Sequence, residues 1–190
     1  MPPRDGAPFE CDEAVLAAWK RVGVHGNLDE GDRPATDWSA ENVGDPDAIV
    51  ALSAAAVMVE LPNLAWPERV ELSVLFGSDE DIAELNDRFR GRPKPTNVLS
   101  FPAADPAPGD PPPAYLGDLA FAGGVARREA RERGVDLATH LATLAVHGIL
   151  HLIGHDHETS EADAEAMERL EARVLARLGL PDPYEGTEPL

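Results

Sequence analysis

Residues 137–153 are apolar on nearly every side, and that run constrains everything around it. A helix without a polar face must be covered from several directions, so it belongs in the middle of a domain. Yet this one carries His147 and His151 four residues apart, one turn along the same face. Burying two unpaired imidazoles costs roughly 1–3 kcal/mol for each unsatisfied group. A shared metal ion removes that cost. Gly154 ends the helix and lets the chain swing back, which places His157 to bring a third nitrogen to the same ion. Three histidine nitrogens with a fourth position held by water is a common arrangement for catalytic zinc. The sequence therefore predicts one Zn2+ on His147, His151 and His157, and no organic cofactor. Asp156 is placed either to accept a proton from a ligand imidazole, as outer carboxylates do, or to form a solvated acidic turn. His140, two turns before His147, is expected as a polar residue at the pocket rim. Gly148 is expected to let another backbone approach beside the metal.

His147, His151, Gly154 and His157 fall at offsets 0, 4, 7 and 10. That spacing matches the H-E-x-x-H-x-x-G-x-x-H pattern of metzincin peptidases. Those enzymes need a glutamate beside the first histidine as general base on the zinc-bound water. Here Gly148 stands in that place. The metal cradle is present and the peptidase base is absent.

Elsewhere, residues 47–60 form an Ala-rich apolar helix stopped by Pro62. Val70, Leu72, Val74 and Phe76 alternate at period two, as in a strand. Ser78 and Asp81 cap a helix over 79–89 that is expected to bury Ile82, Leu85 and Phe89. Residues 97–101 and 118–122 are short strands, separated by an extended loop with six prolines between 102 and 114. A charged helix over 125–133 precedes the central one, and a last helix starts at Ser160 with Met167, Leu170, Val174, Leu175 and Leu178 as its buried stripe. Residues 1–46 show one short helix near 12–21 and no alternation that reads as a strand. They are expected to form a poorly structured extension. The prediction is a single α/β (α+β) domain over 47–184, with a small mixed sheet packed by helices and a tail at 185–190.

The chain has 190 residues, 43% of them hydrophobic, which suits one domain with a real core. No apolar run approaches the ~18 residues of a membrane span, and the N-terminus lacks a secretory pattern, so no membrane is expected. Cys11 is the only cysteine, which fits a reducing cytoplasm. The net charge of −19 excludes broad attraction to nucleic acid. Any RNA substrate must meet a local concentration of positive charge. Arg88, Arg90, Arg92 and Lys94 supply one, four cations within seven residues.

The stretch HGILHLIGHDH, residues 147–157, resembles the H-G-x-L-H-L-x-G-[YH]-D-H signature of the bacterial YbeY family of endoribonucleases. FRGRPKPTNVLSFP at 89–102 is similar to that family's R-G-x-x-x-P-T-N-V-L-S-F-P segment, and LGDLAFA at 116–122 to its L-G-D-[IV] strand. The opening of the last helix, EADAEAMERLE, also resembles the family, and the likeness covers roughly residues 48–184. It implies a zinc-dependent, single-strand-specific endoribonuclease acting in ribosomal RNA processing, notably at the 3′ end of the small-subunit RNA. Its expected partners are ribosomal RNA and the ribosome or its assembly factors. The family's three zinc histidines fall on His147, His151 and His157, and its functional arginine on Arg90. The family opens with a strand before its first helix.

A bound metal lowers the pKa of its water toward ~7 and polarises a phosphoryl oxygen. A phosphodiester transition state gathers negative charge, so a positioned cation helps. Arg90 is expected to contact the scissile phosphate, with Arg88, Arg92 and Lys94 as further RNA contacts. Thr96, Asn97 and Ser100 either line the groove or satisfy turn hydrogen bonds, and Phe89 and Phe101 are expected in the core, with stacking on RNA bases as the alternative. Two alternatives stay open: another zinc hydrolase using the same three-histidine cradle, and a non-catalytic ribosome-associated protein with structural zinc.

Overall fold

The computed structural model describes residues 8–28, 38, 43–157 and 159–185. Of the expected N-terminal extension, residues 1–7, 29–37 and 39–42 lie outside the described residues, as do 186–190 of the expected tail. The described elements are α1 (Glu13–Trp19), β1 (Val22–Leu28), α2 (Pro46–Glu60), β2 (Val70–Gly77), α3 (Asp79–Arg90), β3 (Val98–Pro102), β4 (Tyr115–Ala122), α4 (Gly123–Arg133), α5 (Leu137–Leu152) and α6 (Glu161–Arg177).

The four strands form one mixed sheet in the order β1-β2-β4-β3. β1 and β2 run parallel, as do β2 and β4, while β3 lies antiparallel to β4 at the edge. The alternation in β2 works as predicted: Val70, Leu72, Val74 and Phe76 are all buried on one face. On that face they meet α2, α5 and α6 in the main core. The opposite face carries a smaller cluster in which Ile82 of α3 and Val125 of α4 cover Leu99, Ala120 and Ala122. The central apolar helix is α5. It packs against α2, α4, α6, β3 and β4, as a helix without a polar face requires.

Two expectations change here. In residues 1–46, α1 lies where the one short helix is expected, but the expectation of no strand fails: β1 is present and is paired with β2 along its whole length from Val22↔Val70 to Leu28↔Phe76. Glycines at 23 and 26, with His25 and Asn27, hide the strand because they weaken β propensity. Gly26 has a packing reason. A Cβ there would stand 1.9 Å from Asp47 Oδ1, so α2 and β1 approach through that glycine. The second change concerns α3, which buries Ile82 fully and Leu85 partly but leaves Phe89 57% exposed. Phe89 packs edge-to-face on the half-buried Phe101, with ring centroids 5.0 Å apart. Neither ring is fully buried, contrary to expectation.

Among the described residues no single helix is long and apolar enough to cross a membrane.

Candidate metal centre

Asp136 caps α5 by accepting the Thr139 N–H at 2.7 Å, and the helix runs unbroken past His147 and His151. Gly154 then adopts a left-handed conformation, with φ of 92°. A Cβ there would lie 2.4 Å from the Pro106 carbonyl oxygen, so the proline-rich loop presses directly on this turn. The reversal brings His157 back to the helix. One ring nitrogen from each of His147, His151 and His157 lies within 4.8 Å of the others, and the ring centroids are 4.7, 5.0 and 5.1 Å apart. The Nε2 atoms of His147 and His151 stand 3.1 Å apart. Zn–N bonds of ~2.0–2.1 Å at tetrahedral angles separate ligand nitrogens by roughly 3.4 Å. The cluster fits such an ion in donor type and spacing.

Burial, followed by the neighbouring His147 and His157, pushes His151 down from the ordinary 6.5 to about 4. It is therefore neutral near pH 7 with its lone pair free for a metal, the form a ligand must have.

The carboxylate on a ligand imidazole is Glu171, a residue not singled out in the sequence. It is 2% exposed on the inner face of α6, and its Oε1 accepts from His147 Nδ1 at 2.8 Å. That bond puts the proton on Nδ1 and turns Nε2 toward the cluster, the usual outer support of a metal histidine. The signal was present: Glu171 interrupts the apolar stripe formed by Met167, Leu170, Val174 and Leu175.

The histidines open into a groove of about 570 Å³, walled also by Arg90, Arg92, Thr96, Asn97, Ser100 and Asp156. Gly91, left-handed at φ 64°, closes α3, and Asn86 Nδ2 donates to the Lys94 carbonyl at 2.7 Å, folding the basic loop back. Arg90 and Arg92 are thereby carried into the groove wall. Arg88 instead lies over the Phe89 ring at 5.3 Å, and neither it nor Lys94 is among the lining residues.

His140 is buried, not at the rim. Its Nε2 lies 2.9 Å from Glu129 Oε2, and Glu129 accepts from Asn97 Nδ2 at 3.1 Å. The hydrogen bond from His140, against the opposing effect of burial, holds Glu129 below the usual carboxylate range. His140 thus supports a groove residue from behind. Gly148 admits side chains, not a backbone: a Cβ there would meet Leu119 Cδ2 at 2.8 Å and Ser100 Oγ at 3.2 Å. The position that holds the base in metzincins points into the sheet here.

The family model for Endoribonuclease YbeY matches residues 38–179. A curated protein of that name from Rhodopseudomonas palustris (strain BisA53) is 49% identical over 149 residues, covering 77% of this chain and 84% of its own. Another from Dinoroseobacter shibae is 47% identical over 165 residues, covering 80% and 88%. The solution structure of TM1509 from Thermotoga maritima aligns with a TM-score of 0.48 at 21% identity, over 82% of this chain and 89% of that one. With the match spanning most of the chain and including the three clustered histidines, the chain belongs to the YbeY endoribonuclease family.

Proposed function

We propose that this chain is a zinc-dependent endoribonuclease that cuts single-stranded RNA during ribosomal RNA processing, including the 3′ end of the small-subunit RNA. The observation that carries the proposal is the meeting of three clustered histidines with two arginines in one groove. The relatives named endoribonuclease support RNA as the substrate. Ribosomal RNA, the ribosome or its assembly factors, and a cytoplasmic setting belong to the same proposal.

His147, His151 and His157 would hold the zinc ion, which when bound would supply a Lewis acid and a water of lowered pKa. The chain's own residues do the rest. Glu171 fixes the tautomer of His147. Arg90 and Arg92 face the groove as cations for the phosphate charge that builds up in the transition state. Asn97, held by Glu129, and Ser100 and Thr96 offer hydrogen bonds along the bound strand. Peptide hydrolysis in the metzincin manner finds no support, because the base position is Gly148 and faces Leu119. Among the described residues no fourth side chain joins the histidine cluster, which favours an open, catalytic site over the closed four-ligand form of structural zinc.

The test is cleavage of a labelled single-stranded RNA beside its duplex form. Chelation should abolish cutting of the single strand, zinc should restore it, and the duplex should stay intact. Cutting that survives chelation contradicts the proposal.

A further inference from the structure

The chain continues past α6 through Pro181 and Pro183 and turns back at residues 182–184, where Asp182 Oδ1 accepts the Tyr184 N–H at 2.9 Å. This places the Tyr184 phenol against α6, where its hydroxyl donates to Glu171 Oε2. The other oxygen of the same carboxylate, Oε1, is the one that accepts from His147 Nδ1 at 2.8 Å. Glu171 is buried, so each of its oxygens depends on a protein partner. Burial of the phenol, then the adjoining carboxylate, raises the Tyr184 pKa, which keeps the hydroxyl protonated and donating.

We propose that Tyr184 is a positioning residue for the metal centre: by fixing Glu171 it fixes the orientation of His147, so the short segment after α6 sets how tightly the three histidines hold zinc. Tyr184 lies beyond residues 38–179, the span of the family model. The inference rests on the metal site proposed above.

The test is the zinc dissociation constant of the full chain, measured by competition with a chromophoric chelator. Glu171→Gln should weaken binding by the ~10–100-fold typical of outer-shell partners. Tyr184→Phe keeps the ring and loses only the hydroxyl, and should weaken binding on the order of threefold to tenfold, one step further from the metal. The double variant should bind no more weakly than Glu171→Gln alone. A role confined to packing would lower the melting temperature and leave the zinc constant unchanged. His151→Ala serves as the reference for the site itself. If His151→Ala loses zinc but Tyr184→Phe binds like wild type, or if its effect adds in full to that of Glu171→Gln, the Tyr184 proposal is overturned alone. If His151→Ala binds zinc as tightly as wild type, the metal reading fails and this inference with it.

Discussion

His151 ties the metal centre to the stability of the chain. Its folded pKa of about 4 lies below the ordinary 6.5, so between those values the unfolded chain holds a proton that the folded chain does not. Stability is full above pH 6.5 and falls as pH drops toward 4. His155 acts in the same direction, pushed down by burial. The metal-free protein should therefore show a lower urea midpoint at pH 5.0 than at pH 7.5, and His151→Gln should flatten the difference. An unchanged midpoint in the wild type would refute this reading. At this scale the three-histidine cluster is legible because a helix period and one glycine are enough to group it. Glu171 is harder to read, because a glutamate within a charged helix looks solvated until its place on the apolar stripe is compared with what the stripe faces. Asp156, closer in sequence to the ligands, lines the groove, while the carboxylate hydrogen-bonded to His147 comes from another helix.

The elements are fastened so that the ligands do not drift. α6 is tied to α2 by Arg173 and Arg177, which bind the two oxygens of Glu60 at 2.7 Å each, and Arg177 also reaches Asp12 at the start of α1. The end of α5 is fixed by Gly154, whose positive φ and contact with the Pro106 carbonyl leave no room for a side chain. Gly154→Ala should cost about 2–3 kcal/mol from backbone strain, read from urea unfolding, and should weaken zinc binding by displacing His157. A loss well under 1 kcal/mol would show that the turn is not strained. Most elements could be read from period and caps: Ser78 with Asp81 forms the predicted capping box, and Ser160 caps α6. β1 could not, because its glycine at 26 answers to Asp47 on another element. The exposure of Phe89 is hidden for a related reason. It sits at helical spacing from Ile82 and Leu85, but α3 extends past the sheet cluster it covers.

For the whole molecule, the question is how a chain of net charge −19 meets RNA. The fold answers by separating its cations: of the four in the basic segment, only Arg90 and Arg92 line the groove. Two phosphate contacts on a single strand, at roughly −0.7 each, predict a log–log salt slope for RNA binding of about −1.4. Arg92→Ala should reduce it by ~0.7. A slope steeper than about −4 would mean that a wide basic surface takes part. That four cations lay close together was plain from the sequence; which of them face the histidines depends on the Asn86–Lys94 hydrogen bond, a contact that no spacing rule supplies.

The most direct test is cleavage of one labelled single-stranded RNA by wild type and by His151→Ala, prepared in parallel, with the zinc content of each measured. The account predicts about one zinc and cutting in the wild type, with both lost in the variant while its fold is retained. Cutting at the wild-type rate by zinc-free His151→Ala would contradict the assignment of the three histidines as the ribonuclease centre.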